Sequence, residues 1–276
     1  MSPTPPRALT IAGSDSGGAA GLEADLRAMT ACGVHGCVAV TAVTVQNSLG
    51  VSGVHLVPPE TVAAQVRAVV SDIGVGAAKT GMLATTEIID AVADVVGVGR
   101  GPDLTPFVVD PVSASMYGEP LLTDEALDAI RTRLILRAAL VTPNLDEVRL
   151  LAGITVTDPA TAREAATALH AMGARYVLIK GGHLRGSPEV VDLLSDGERT
   201  REFGGARIDT PHVHGAGDAL ASATCAGLAR GLEVPDAVAY AERYIRQAVA
   251  HAYPLGAGTG PVSPFWAVRD WDDPVA

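Results

Sequence analysis

A glycine turn followed by an aspartate is the local pattern that most directly suggests chemistry. The segment Thr210-Pro-His-Val-His-Gly-Ala-Gly-Asp218 leads into a run of small apolar residues that is typical of a helix. Gly215, Ala216 and Gly217 permit a tight turn whose backbone N–H groups, aided by the helix dipole, form an anion hole for phosphate oxygens. Asp218 is then placed to accept the proton of an alcohol that attacks a phosphate. The alternative is that Asp218 caps the helix.

Two other glycine clusters are rival phosphate loops. Gly13–Gly21 matches neither GxxxxGK[ST] nor GxGxxG spacing, which excludes the Walker and Rossmann patterns. We expect this loop to let a ligand approach the backbone closely. Lys180-Gly-Gly-His183 follows a predicted strand, so Lys180 would lie at the side of a parallel sheet where sites usually form. A solvated lysine at a strand end is the alternative.

Acidic and amide side chains also follow predicted strands. Asp110 ends one strand, and Asn144 and Glu147 come directly after the next. Their hard oxygen atoms are suited to Mg²⁺, bound directly or through water against the phosphates of ATP. Because Asn144 and Glu147 are three residues apart, a capping box on the following helix explains them equally well.

Four further residues are unusual for their positions. Asp25 lies at the margin of an apolar helical stripe, where a solvated carboxylate is not expected. Gln46 closes an apolar strand, and His214 lies beside the glycine turn. Met82 follows a strand, where methionine is more often core filler than pocket wall.

The composition restricts the partners. The formal charge of −11 disfavours nucleic acids and anionic membranes, because both are bound by clustered lysine and arginine. The three cysteines lack CxxC spacing, so we expect reduced thiols. No apolar run approaches the ~20 residues of a membrane-spanning helix, and the N-terminus has no apolar signal core. These features favour a cytoplasmic protein that binds neither nucleic acid nor membrane.

Short apolar runs alternate with helical patterns along the chain. The predicted strands are Ala8–Ile11, Val38–Val45, Ala77–Lys79, Phe107–Val109, Leu140–Thr142 and Tyr176–Ile179. Helices are predicted from the stripe of Leu22, Leu26 and Met29, and from Pro159 onward. Asp196-Gly197 between two short runs predicts an antiparallel hairpin at the sheet edge. We expect one α/β domain over residues 1–276, with flexible ends at 1–6 and 270–276.

In their order and in their residues, these segments resemble those of the hydroxymethylpyrimidine and phosphomethylpyrimidine kinases of the ribokinase superfamily. The matching segments are Ile11–Gly21 with Glu23–Asp25, Thr41–Asn47, Lys79–Leu83, Val141–Glu147, Lys180–His183 and Gly256–Pro264. The resemblance implies a ribokinase-like α/β fold with a mostly parallel central sheet flanked by helices on both faces. It also implies ATP-dependent phosphorylation of hydroxymethylpyrimidine, and of its monophosphate, in thiamine biosynthesis.

The resemblance assigns roles to the unusual residues. The implied substrate-binding residues are Gly13, Asp25, Gln46 and Met82, with Asp25 and Gln46 on the aminopyrimidine edge. The implied nucleotide-binding residues are Lys180 and Asn144, beside the anion hole. The implied magnesium ligands, direct or through water, are Glu147 and Asp110.

Asp218 departs from the pattern of the pyrimidine branch. Many pyrimidine kinases resemble one another in having cysteine there, whereas sugar and nucleoside kinases of the superfamily have aspartate. The N-terminal segments resemble the pyrimidine branch, so hydroxymethylpyrimidine is the expected substrate. The alternatives are a pyridoxal-type kinase and a non-catalytic pyrimidine sensor. A homodimer is the expected oligomer.

Overall fold

The computed structural model describes residues 3–96, 106–114, 121–183 and 188–267. Nine strands form one sheet in the spatial order β3-β2-β1-β4-β5-β6-β7-β8-β9. The strands are β1 (Arg7–Ser14), β2 (His35–Asn47), β3 (Gly50–Leu56), β4 (Ala77–Thr80), β5 (Phe107–Val109), β6 (Leu140–Val141), β7 (Val177–Ile179), β8 (Glu189–Ser195) and β9 (Thr200–Ala206). The predicted flexible segment 270–276 lies outside the described residues.

The sheet is parallel in its centre and antiparallel at both edges. Six central strands are parallel to one another, in the order β2, β1, β4, β5, β6 and β7. At one edge β3 pairs antiparallel with β2, and at the other β8 pairs antiparallel with both β7 and β9. The mostly parallel sheet and the Asp196-Gly197 hairpin are therefore confirmed. Strand β3 was not predicted, because Gly50, Ser52 and Gly53 give the segment little strand propensity and pairing with β2 supplies the order.

Helices cover both faces of the sheet, as predicted. They are α1 (Gly21–Ala31), α2 (Pro59–Ala68), α3 (Thr86–Val95), α4 (Asp124–Ala129), α5 (Leu145–Ala152), α6 (Pro159–Ala171), α7 (Ala216–Ala229) and α8 (Val234–Ala250). Apolar residues of α2 to α6 pack on one face, and those of α1, α7 and α8 on the other. Alternate residues of each strand enter the two cores, so Leu9 and Ile11 contact one and Ala8 the other.

The parallel arrangement brings the loops after β1, β4, β5, β6 and β7 to one edge of the sheet, beside the start of α7. This edge is the place where open α/β sheets usually bind ligands. No helix within the described residues is long and apolar enough to cross a membrane.

Candidate functional site

A cleft of about 1260 Å³ opens at this edge of the sheet. The predicted site residues that line it are Gly13, Gln46, Met82, Asp110, Asn144, Glu147, Lys180, Gly215, Ala216, Gly217 and Asp218. These residues come from positions as far apart as the first strand and the seventh helix, so the fold brings them together. Asp25 is the predicted site residue that is not in the wall.

The glycine turn begins α7 and packs against the loop after β1. Gly215 is the N-cap and has a φ of +75°, a left-handed conformation that glycine adopts without strain. A Cβ atom on Gly215 would lie 1.9 Å from the carbonyl oxygen of Ala19, so the close approach requires glycine. The Ala216 N–H donates to the carbonyl oxygen of Val213 (3.1 Å), which uses one donor of the predicted anion hole. The other N-terminal N–H groups and the helix dipole favour an anion at this place.

Asp218 is the third residue of α7, inside the helix. Because the N-cap is Gly215, the capping alternative for Asp218 is wrong. The Asp218 side chain is 18% exposed, and its Oδ1 lies 3.9 Å from Nζ of Lys79. Burial raises the pKa of Asp218 to about 7, although Lys79 opposes the shift. A carboxylate that titrates near neutral pH is suited to general-base chemistry.

Asp25 lies beneath the cavity and does not line it, unlike the other predicted substrate-binding residues. It is fully buried, and its oxygen atoms accept hydrogen bonds from the hydroxyls of Thr10 (2.6 Å) and Ser222 (2.6 Å) and from Nζ of Lys79 (2.7 Å). The apolar stripe of α1 faces the sheet. A carboxylate at the margin of that stripe therefore enters the core between β1, β4 and α7 and does not reach the cavity.

The sequence assigns Lys79 no role of its own, but the structure places it directly beside Asp218 and Asp25. It is the third residue of β4 and fully buried. Burial lowers the pKa of Lys79, but the carboxylates of Asp25 and Asp218 more than offset this and leave it above its usual value. A lysine within an otherwise uncharged buried strand was the available signal, because lysine is almost never fully buried unless it is paired.

Lys180 and Asp110 form an ion pair in the cavity wall. Nζ of Lys180 lies 2.9 Å from Oδ1 of Asp110, which also accepts a hydrogen bond from the Thr142 hydroxyl (3.0 Å). The Lys180 side chain is 12% exposed, so the alternative of a solvated strand-end lysine is wrong. Burial lowers the pKa of Lys180, but Asp110 and then Glu147 raise it above its usual value. A Cβ atom on Gly217 would lie 3.3 Å from Nζ of Lys180, so the ammonium adjoins the glycine turn.

Asn144 and Glu147 do form the capping box of α5, and both also line the cavity. The Asn144 side chain accepts from the Glu147 N–H (2.9 Å), and the Glu147 carboxylate accepts from the Asn144 N–H (2.7 Å). Burial raises the pKa of Glu147 to about 7. Within the described part of the chain, no group of three or more His, Cys, Asp or Glu side chains is arranged to hold a metal ion. Asp110 and Glu147 nevertheless fit Mg²⁺, which usually takes one or two carboxylates together with water and substrate phosphates.

The opposite wall is formed by the loop after β1 and the end of β2. A Cβ atom on Gly13 would lie 2.5 Å from Cε of Met82, so the glycine makes room for the methionine, which is half-buried in the cavity wall. Nε2 of Gln46 lies 3.4 Å from Nε2 of His214. Burial lowers the pKa of His214, with Asp15 acting in the opposite direction.

Two cavity groups were missed by sequence reasoning. The Asp15 carboxylate accepts from the N–H groups of Gly17, Ala19 and Ala20, and so folds the glycine loop back on itself. Elsewhere in the cavity wall, burial and the neighbouring Asp192 raise the pKa of Glu242 to about 9. Glu242 lies on α8 and Asp192 on β8. Only the folded arrangement shows that they are neighbours.

Comparison with known proteins gives consistent results. The sequence pattern of the family described as phosphomethylpyrimidine kinase matches residues 15–263. A hydroxymethylpyrimidine/phosphomethylpyrimidine kinase of Mycobacterium leprae is 56% identical over 267 residues, which cover 95% of each chain. A thiamine biosynthesis bifunctional protein of Geobacter sulfurreducens is 45% identical over 96% of this chain and 53% of its own length. The crystal structure of an ADP complex of Bacillus subtilis pyridoxal kinase superposes with a TM-score of 0.88 and 36% identity, over 95% of this chain and 98% of that one.

Proposed function

The chain belongs to the phosphomethylpyrimidine kinase family, and from this membership we propose that it phosphorylates 4-amino-5-hydroxymethyl-2-methylpyrimidine with ATP in thiamine biosynthesis. The monophosphate is the second substrate and the diphosphate the final product. The observation that carries the chemistry is the Asp218 carboxylate in the cavity wall, in the first turn of α7 beside the glycine turn. The fold is ribokinase-like, and the enzyme is an ATP-dependent kinase.

In the first step the hydroxymethyl oxygen attacks the γ-phosphorus of ATP. Asp218 accepts the hydroxyl proton, the new O–P bond forms, and the bond to the bridging oxygen of ADP breaks. The elevated pKa of Asp218, about 7, supports this assignment, because a base of this strength is well matched to neutral pH. In the second step the nucleophile is an oxygen of the substrate's own phosphate, which is largely unprotonated at neutral pH.

The phosphate groups of ATP lie against the N-terminus of α7 in this proposal. The N–H groups of Gly217 and Asp218 and the ammonium of Lys180 supply donors and positive charge. The 3.3 Å separation between Lys180 Nζ and a Cβ on Gly217 supports a shared phosphate site for the two elements. Asn144 lies on the same side of the cavity and belongs to the nucleotide region.

Asp110 and Glu147 would hold magnesium in the same proposal, directly or through water. The two carboxylates follow neighbouring strands, and both line the cavity near Lys180. The ion supplies charge neutralisation for the phosphates. Asp110 also holds Lys180, and Glu147 also caps α5, so each carboxylate is fixed before any ligand arrives.

The pyrimidine ring lies between Gln46 and Met82. A carboxamide offers one acceptor and one donor side by side, which matches the amino group and neighbouring ring nitrogen of an aminopyrimidine. Met82 packs on the ring face, and Gly13 leaves room for the Met82 side chain. The names of the curated relatives favour this substrate over pyridoxal and over a sensor without catalysis.

The proposal extends to a cytoplasmic homodimer. Val43 and Val45 at the antiparallel edge are 47% and 62% exposed, and such an apolar surface supports association with a second copy. Three buried unpaired cysteines, Cys32, Cys37 and Cys225, support a reducing compartment. Sedimentation measures the oligomeric state of the wild type and of Val45→Asp. A monomeric wild type would contradict the proposed homodimer.

Phosphorus NMR of a reaction with ATP, Mg²⁺ and hydroxymethylpyrimidine tests the function. The proposal expects a monophosphate ester signal that later gives way to a diphosphate. Accumulation of the monophosphate without further reaction contradicts the second step. Absence of any new ester contradicts the function itself.

A further inference from the structure

A fully buried lysine lies directly beneath the proposed base. Nζ of Lys79 is 2.7 Å from Oδ1 of Asp25 and 3.9 Å from Oδ1 of Asp218. Lys79 and Asp25 are both 0% exposed, whereas the Asp218 side chain reaches the cavity wall. Two carboxylates therefore share one buried ammonium, and one of the two faces the cavity.

Asp25 is held by three separate elements. The hydroxyl of Thr10 on β1 donates to one of its oxygens, and the hydroxyl of Ser222 on α7 and the ammonium of Lys79 on β4 donate to the other. These bonds tie α1 to the helix that carries the base. The thiol of Cys225, on the same helix, is also near Lys79, but burial raises its pKa to about 12 and it stays neutral.

Stability alone is a weak reason for this ion pair. Taking a lysine and an aspartate out of water costs several kcal/mol for each ion, and well-packed apolar residues often replace such pairs with no loss of stability. A direct effect on Asp218 is a more specific explanation, because the lysine adjoins the one carboxylate whose charge the reaction needs.

We propose that Lys79 is a positioning residue for phosphoryl transfer, which orients the Asp218 carboxylate and favours its charged form, and that Asp25 limits this effect by binding the same ammonium. The inference rests on the proposed role of Asp218 as the base. It assigns Asp25 an indirect function in place of the substrate contact that the sequence suggested.

The charges around Asp218 support this assignment. Burial is the main cause that raises its pKa, Lys79 is the largest opposing influence, and Lys180 adds a smaller one. Asp25 and Asp110 raise the pKa of Asp218 as well. Removal of Lys79 and removal of Asp25 should therefore change the protonation of Asp218 in opposite directions.

The test compares Asp25→Asn with the double variant Asp25→Asn/Lys79→Met. The single variant frees the ammonium from its closer partner, so the acid limb of the kcat/KM profile for hydroxymethylpyrimidine should move to lower pH. The double variant removes both charges and leaves no unpaired buried ion, so it is expected to fold. Lys79 influences Asp218 more strongly than Asp25 does, so losing both charges should move the acid limb above that of the wild type and well above that of Asp25→Asn.

Asp218→Asn is measured alongside as the reference. One outcome is that Asp218→Asn loses kcat, while both test variants fold, bind ATP and keep the acid limb of the wild-type pH profile. Lys79 then has only a structural role, and the inference fails. If Asp218→Asn keeps the wild-type kcat and limb, the base assignment fails and the inference fails with it. Asp25→Asn preserves side-chain size and decides the matter alone if the double variant does not fold.

Discussion

Nε2 of Gln46 and Nε2 of His214 lie 3.4 Å apart in the wall of the cavity. Because burial lowers the pKa of His214, the imidazole is favoured in its neutral form, which can accept a hydrogen bond from the Gln46 amide. This contact holds one N–H of the carboxamide and leaves its oxygen and its second N–H for the substrate contact proposed above. The contact connects the end of β2 to the segment that precedes the glycine turn.

Replacement of Gln46 by leucine should weaken pyrimidine binding and leave ATP binding unchanged. A lost neutral hydrogen bond costs about 0.5–1.5 kcal/mol, so KM for hydroxymethylpyrimidine should rise roughly 2- to 10-fold. Steady-state kinetics with each substrate varied in turn measures both constants. The control is Gln247→Leu, at an exposed position of α8. A weaker affinity for ATP with an unchanged pyrimidine KM would indicate that Gln46 contacts the nucleotide and not the pyrimidine.

Asp218→Asn should slow the first phosphorylation much more than the second. Asparagine cannot accept the hydroxyl proton, so kcat with hydroxymethylpyrimidine should fall by roughly 10²–10⁴. A phosphate oxygen has a pKa of about 6 and needs little help from a base, so the monophosphate reaction should lose less. Both rates are read from ADP release with each substrate alone.

Asp236→Asn is the matched control, because Asp236 also lies in the first turn of a helix and is exposed. It should keep both rates. A wild-type rate for Asp218→Asn with hydroxymethylpyrimidine, or an equal loss in the two steps, counts against proton abstraction by Asp218.

The pH profile of kcat/KM for hydroxymethylpyrimidine should show an acid limb near neutral pH. The pKa of Asp218 is raised to about 7, so below this value the carboxyl group is increasingly protonated and cannot act as a base. Activity should therefore fall as the pH decreases through about 7 and level off above it. A profile that stays flat down to the range of an ordinary aspartate contradicts the assignment.

Glu147→Gln should raise the Mg²⁺ concentration needed for half-maximal activity by roughly 10- to 100-fold. Glutamine keeps the capping box, so the thermal unfolding temperature should stay near that of the wild type. The control Glu87→Gln alters an exposed glutamate in the first turn of α3. An unchanged magnesium requirement removes Glu147 from the proposed metal site.

Chelation of Mg²⁺ should abolish turnover in every variant, and added Mg²⁺ should restore it.

Sequence patterns predicted the central strands and the edge hairpin, because each depends on local order along the chain, and together with the resemblance they identified eleven residues of the cavity wall. Asp110, Asn144 and Lys180 follow parallel strands, and parallel strands end at one edge of a sheet. The Asp25–Lys79 pair could not be predicted in this way. Its members are 54 residues apart, on α1 and on β4, and only the folded arrangement brings their side chains into contact.

The relative kcat/KM for hydroxymethylpyrimidine, pyridoxal and ribose, measured with ATP and Mg²⁺, tests the central claim most directly. A site built to pair with an amino group rejects analogues that lack it by up to ~10⁴. We predict that hydroxymethylpyrimidine has the largest kcat/KM, since pyridoxal lacks the amino edge and ribose lacks the aromatic ring. An equal or larger value for pyridoxal or ribose would contradict the account.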